Sequence, residues 1–300
     1  MTTFSTSSIP DMAGATVIIT GANSGIGRAA ATALAAAGAH VVLAVRNLDK
    51  GREAAAQMSG STEVRQLDLA SLDSVRAFAA GWESPIDILI NNAGVMIPPL
   101  SQTTDGFEMQ FGTNHLGHFA LTNLLLPHVT GRVVTLASGA HRMGKIDFND
   151  LNWERKPYRA WRAYGQSKLA NLLFTAELQR RLDATASSVK ATAAHPGYAA
   201  TNLQFHSGSR IMDLLSQLGN RVIAQDDKAG ALPTLYAAVA DIPGNSYAGP
   251  DGFMEGRGAP KLVGRSHAAQ DMDVARRLWD VSEQLTGVSF PLTPQPATRA

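Results

Sequence analysis

The chain has 300 residues, 45% of them hydrophobic, and balances 26 Lys and Arg against 25 Asp and Glu for a net charge of +1. That length buries a substantial core, while cancelled charge without a basic block speaks against a nucleic-acid surface and for a small, uncharged partner. The lack of cysteine excludes disulfides, thiolate metal sites and a cysteine nucleophile, and it fits a reducing compartment.

Residues 1–13 contain no basic stretch followed by an apolar one, so they read as a flexible lead-in rather than a secretory signal. The expected location is the cytoplasm, without stable membrane insertion. TVIIT (16–20) predicts the first strand, and an alanine-rich stretch over 25–37 predicts the first helix. Residues 29–45 lack Asp, Glu, Lys and Arg, but Gly38 splits that run into helix and strand, which excludes a membrane span. Strands follow at VVLAV (41–45), 64–67, IDILI (86–90), RVVTLA (132–137) and VKATAA (189–194). Helical patterns lie between them at 49–58, 71–80, 105–126 and 160–183, with a later one at 226–239. Strands apolar throughout and alternating with helices imply an α/β, doubly wound Rossmann fold, its central parallel sheet flanked by helices on both faces. No repeat or linker divides the chain, so residues 14–290 form one domain, followed by a flexible tail at 291–300. An apolar segment over 202–225 reads as a substrate lid.

In such sheets ligands bind beyond the carboxyl ends of the strands, and the motifs follow strands here. GANSGIG places Gly21, Asn23, Ser24, Gly25, Ile26 and Gly27 between the first strand and its helix. Glycines there allow a tight turn and let backbone N–H groups at a helix N-terminus approach a pyrophosphate. The second strand ends in Arg46, where a chain selecting NAD would offer Asp or Glu to the ribose hydroxyl. A guanidinium suits a 2′-phosphate, so NADP(H) is preferred over NAD(H); a solvated arginine beside Asp49 is the alternative. Asp68 and Leu69 end the third strand region, and Asn91, Asn92, Ala93 and Gly94 follow the fourth, at the edge where adenine and ribose would lie. Each alone is also an ordinary turn former.

AYGQSKLANLLF (163–174) sets Tyr164 and Lys168 four apart, with Asn171 and Thr175 continuing one polar stripe. A phenol titrates near 10, so acid–base work near pH 7 asks for a shift of about three units, roughly 4 kcal/mol. A charge about 4 Å away supplies about 1 kcal/mol in water but about 4 at an effective dielectric near 20, so the pair makes chemical sense only in a sheltered cleft. His115 and His118 lie three apart on one helix, but no third ligand with suitable spacing follows, and no metal is expected.

TGANSGIG (20–27), NNAG (91–94), NHLGHF (114–119), Ser138, YGQSK (164–168) and HPG (195–197) occur in this order. The set resembles the short-chain dehydrogenase/reductase family. ASGAHRMGKIDFNDLNW (137–153), SKLANLLF (167–174), YAGPDGF (247–253), LWDVSEQLTG (278–287) and the 26-residue separation of Ser138 from Tyr164 are similar to its retinol-dehydrogenase-like branch. The resemblance implies an oxidoreductase that passes a hydride between nicotinamide and the carbon of an apolar aldehyde, ketone or alcohol. It makes Tyr164 the acid–base residue, with Ser138 holding the substrate oxygen. Lys168 would bind the nicotinamide ribose and lower the tyrosine pKa, and Asn114 would anchor a proton-relay water. Asn91, Pro196, Gly197 and Thr201 would line the cofactor. An insert carrying Trp153, Tyr158 and Trp161 would wall the substrate pocket, or else pack its aromatics on its own helix. A homodimer or homotetramer through the helices after the fourth and fifth strands is the family's common assembly. A catalytically silent NADP(H)-binding sensor is the alternative, although such a module needs neither Ser138 nor Tyr164.

Overall fold

Alternate residues of the central strands face opposite sides of the sheet, and both sides are apolar. The computed structural model describes residues 3–197 and 227–293. Thr201 and the lid expected over 202–225 lie outside the described residues. The strands are β1 (Thr16–Thr20), β2 (His40–Val45), β3 (Ser61–Gln66), β4 (Ile86–Asn91), β5 (Val129–Leu136), β6 (Lys190–Ala194), β7 (Tyr247–Pro250) and β8 (Pro260–Leu262). They form one sheet in the order β3-β2-β1-β4-β5-β6-β7-β8. All neighbours pair in parallel except β7 and β8. The antiparallel β8 departs from the parallel sheet expected, and both closing strands escape a periodicity reading because they are short and contain proline.

The helices are α1 (Gly25–Ala36), α2 (Leu48–Ala55), α3 (Leu72–Ala80), α4, α5 (Ala160–Ala184), α6 (Asp227–Val239) and α7 (Met272–Thr286). Helix α4 runs continuously through Met109–Phe111, a π-wound stretch Gly112–Leu116, and Gly117–Leu125. Val17, Ile19, Leu43, Ile90 and Val134 pack on one side of the sheet with Ala30 and Leu34 of α1 and Leu235 of α6. Ile18, Val42, Leu89 and Val133 pack on the other with Phe78 of α3, Phe119 of α4 and Phe174 of α5. None of the helices in the described residues is long and apolar enough to cross a membrane.

Two terminal segments close the core. In the expected flexible lead-in, the Phe4 ring meets Tyr236 edge-on at 5.2 Å, and the Met12 amide donates to Ala37 O at 2.8 Å. The apolar residues scattered through that polar stretch hold it against the sheet face. At the other end α7 lies on α4 and α5. Asp271 caps it by accepting from the amides of Asp273 and Val274, and Gly287 ends it at φ +63°. Its Trp279 stacks on Phe174 at 5.6 Å and meets Phe119 edge-on at 4.9 Å. Residues 163–178 of α5 are buried within the single chain, between the sheet, α4 and α7.

Trp279 is fully buried in this aromatic layer, and Trp279→Ala should cost about 3–5 kcal/mol of unfolding free energy. Urea titration checks this; a loss below about 1 kcal/mol would mean that α7 contributes little to the core.

Candidate active site

The sheet order reverses between β1 and β4, which opens a crevice at their carboxyl ends. The glycine turn follows β1 there and leads into α1, whose first backbone bond runs from the Arg28 amide to Ser24 O at 3.1 Å. The amides of Gly25, Ile26 and Gly27 precede that bond, so they have no partner within the helix and stand as a donor set for an anion. Arg46, at the end of neighbouring β2, is exposed and makes no ion pair with a described residue, because Asp49 is held by Arg52 at 2.9 Å. Asp68 and Leu69 follow β3; the Asp68 carboxylate accepts the Ala70 amide at 3.0 Å, while Leu69 is buried.

The turn after β4 is clamped by a polar chain that sequence reading did not find. Thr20 Oγ1 accepts the amides of Asn92 and Ala93, both at 2.9 Å, and lies 2.9 Å from His118 Nε2. His118 Nδ1 faces the Asn114 carbonyl at 3.1 Å. A carbonyl only accepts, so Nδ1 carries the proton and Thr20 donates to Nε2. Burial holds this imidazole neutral, its pKa pushed down to about 4. The signal was present in NHLGHF, where such a histidine is as readily a hydrogen-bonding residue as a metal ligand. Asn91 ends β4 at this edge, and its side chain donates inward to Thr122 Oγ1 at 2.9 Å.

Asn114 occupies the π-wound turn. Its Oδ1 accepts the Val95 amide at 2.8 Å, and its Nδ2 donates to Val95 O at 2.9 Å and to Ser167 Oγ at 3.0 Å. Both amide hydrogens are thus committed to protein atoms. Beside it, a Cβ added to Gly94 would come 3.1 Å from Asn114 Oδ1 and 3.6 Å from Lys168 Nζ, so a cradle exists that any other residue would fill.

Ser138 follows β5 and caps the 3₁₀ turn Gly139–Met143, its Oγ accepting the Ala140 amide at 3.2 Å. Gly144 and Gly165 lie backbone to backbone, where a Cβ on Gly144 would collide with the Gly165 carbonyl. This close approach presses the turn onto α5 and sets Ser138 beside Tyr164, whose phenol it acts to lower. Tyr164 and Lys168 are both buried, and Lys168 Nζ lies 5.6 Å from the Tyr164 ring centre. The Leu136 carbonyl that ends β5 accepts from Lys168 Nζ at 3.2 Å and from Asn171 Nδ2 at 2.9 Å. The polar stripe therefore faces the strand end.

Burial acts on both members of the pair. It raises the Tyr164 phenol to about 12, against a smaller lowering by Ser138, and depresses the Lys168 ammonium to about 8. Lys168 Nζ is turned towards the Leu136 carbonyl, and burial is the larger influence on the phenol. Of the insert's aromatics, Trp153 is buried and meets Tyr158 edge-on at 5.7 Å. Tyr158 donates to Glu108 Oε1 at 3.0 Å, which anchors the insert on α4. Only Trp161 reaches the site, 52% exposed and 6.4 Å from the Tyr164 ring.

Residues 15–211 match the short chain dehydrogenase family. Over 306 residues the chain is 44% identical to human retinol dehydrogenase 13, covering 95% of this chain and 89% of that protein. The chain belongs to the short-chain dehydrogenase family, in its retinol-dehydrogenase-like branch. Mouse retinol dehydrogenase 14 is 42% identical over 92% of this chain and 87% of its own length. A solved structure of an uncharacterized Mycobacterium paratuberculosis protein is 52% identical, with a TM-score of 0.86 over 97% of this chain and all of that one. A Beutenbergia cavernae structure described as an NAD(P)-dependent gluconate 5-dehydrogenase, with NADP bound, is 27% identical at a TM-score of 0.57, covering 76% of this chain and 91% of that one. The short-chain dehydrogenase assignment makes the protein an oxidoreductase that uses a nicotinamide cofactor and a small substrate.

The buried lysine predicts a pH signature. The unfolded chain keeps the Lys168 proton up to about pH 10.5, whereas the folded chain releases it near 8. Between those values the unfolded state holds more protons, so stability rises with pH. From pH 7.5 to 9.5 the gain from this group is about 2 kcal/mol and should vanish in Lys168→Met, as read by urea unfolding. Equal gains in both proteins would show that the lysine is not desolvated.

Proposed function

We propose that the protein is an NADP(H)-dependent carbonyl reductase, running in reverse as an alcohol dehydrogenase, with Tyr164 as its acid–base residue and an apolar aldehyde, ketone or alcohol as substrate. The observation that carries this is the convergence of Ser138, Tyr164 and Lys168 beside the Gly94 cradle. The amides at the start of α1, which precede its first helical bond, fit a pyrophosphate, and Arg46, without an ion pair among the described residues, fits a 2′-phosphate.

When bound, the cofactor supplies or accepts the hydride. The protein's part is to hold the oxygen and its proton. Ser138 orients the carbonyl oxygen, and Tyr164 meets it with a phenol that stays protonated near neutral pH, as a proton donor in reduction requires. Lys168 brings a positive charge into a low-dielectric setting, where it favours the phenolate formed once that proton has left. Asn114 fixes the Val95 peptide and so the wall of the cradle. Trp161, large, apolar and exposed, lies 6.4 Å from the Tyr164 ring and favours an apolar substrate. The relatives' name, retinol dehydrogenase, is that of enzymes for one such alcohol. Pro196 and Gly197, after β6, border the same crevice. A cytoplasmic location belongs to the proposal.

Purified protein should consume NADPH with a panel of apolar aldehydes and ketones that includes retinal. Tyr164→Phe should reduce turnover at least about a hundredfold while NADPH affinity changes little; full turnover would remove Tyr164 from its role. Arg46→Asp should move the ratio of kcat/KM towards NADH, and an unchanged ratio would disprove the NADP assignment.

A further inference from the structure

Outside the Ser138, Tyr164 and Lys168 set, a second group of titratable side chains surrounds the turn that follows β6. His195 is 2% exposed and has both ring nitrogens committed. Nδ1 faces the backbone amide of Gly197 at 3.2 Å, and Nε2 faces Oε2 of Glu255 at 3.1 Å. A backbone amide only donates, so Nδ1 holds the lone pair and Nε2 holds the proton, which it gives to the carboxylate. Burial keeps the ring neutral, with its pKa pushed down to about 4. Glu255 therefore selects the one tautomer that can accept the Gly197 amide. Without it, the Nδ1–H tautomer would point a hydrogen at another hydrogen and release the turn.

The surroundings are shaped for this contact. Gly249 of β7 lies beside the ring, and a Cβ there would collide with Nε2. Glu255 is reached through two consecutive non-glycine residues in the left-handed region, Met254 at φ +51° and Glu255 at φ +56°. Such a conformation persists where neighbouring contacts over-determine it, and these are often at functional sites. Asp251 supplies the determination: its amide donates to Ala259 O at 2.8 Å, and its Oδ1 accepts the Ala259 amide at 2.9 Å. Glu255 Oε1 lies 3.3 Å from Nη2 of Arg142, on the turn that Ser138 caps. His141 on that turn donates from Nδ1 to Ser138 O at 2.7 Å. One carboxylate thus joins the turn after β6 to the turn after β5.

We propose that Glu255, acting through His195, is a positioning residue that holds the Pro196–Gly197 turn against the bound cofactor and couples it to the turn carrying Ser138. This rests on the cofactor reading above, and one of its tests needs no cofactor. In the cofactor-free protein, Glu255→Ala should speed hydrogen exchange at the Gly197 amide about tenfold and, separately, weaken NADPH binding about tenfold by fluorescence titration. Glu255→Gln, whose amide oxygen still accepts from Nε2–H, should stay within about twofold of the parent in both. A merely structural glutamate would change global stability without this rescue and without an effect centred on Gly197. In the parent, ring ¹⁵N shifts should report His195 as the neutral Nε2–H tautomer, a measurement that stands even if Glu255→Ala does not fold. An Nδ1–H tautomer, or unchanged exchange and affinity in folded Glu255→Ala, would overturn the proposal. A Gly197 response in a parent that binds no NADPH would support the positioning couple and overturn the cofactor reading.

Discussion

The hydroxyl of Thr20 joins three chain segments at the carboxyl edge of the sheet. It has one proton and two lone pairs, and all three are used: the proton goes to His118, and the lone pairs take the Asn92 and Ala93 amides. The end of β1, the turn after β4 and the part of α4 that carries His118 are therefore joined through a single buried atom. Each group it satisfies would otherwise lie unpaired in a low-dielectric interior, where such a loss costs about 1–3 kcal/mol. The glycine turn, the Gly94 cradle and Asn114 all take their places from this clamp. Asn114 sits in the π-wound turn, and its carbonyl meets the His118 ring at 3.1 Å.

Burial gives the tyrosine–lysine pair its character, and it works against the charge of both. A phenol held near 12 and an ammonium held near 8 describe a chain that stores its proton on Tyr164 and holds Lys168 only loosely protonated. The spacing of four residues supplies proximity, but desolvation decides the direction of each shift. The electrostatic argument made from spacing alone required shelter, and the structure supplies more shelter than that argument needed.

Apart from β3, a weaker signal in STEVRQ, the strands legible in the sequence were those with continuous apolar runs, and their order along the chain was enough to imply the doubly wound sheet. β7 and β8 were not legible because four and three residues carry no period. α7 was legible in principle, from its Asp271 cap, its apolar spacing and Gly287, yet its residues drew notice only as a family motif. Among site residues, those that follow a strand directly, such as Ser138 and the glycine turn, were readable because topology sends every strand end to one edge. His118, His195 and Glu255 were not, because their meaning depends on partners 98 and 60 residues away in sequence.

Helix α7 also bears on the order in which the chain can assemble. The aromatic face of α4 and α5 is finished only by Trp279, and the Thr286 carbonyl at the end of α7 is bonded by Arg76 of α3 at 2.6 Å. During synthesis, β1, α1 and β2 emerge first and bring together the early part of the side that Leu235 of α6 later completes. The opposite layer stays open to water until almost the whole chain has emerged. Until then Phe119 and Phe174 lack the ring that lies against both of them in the finished fold.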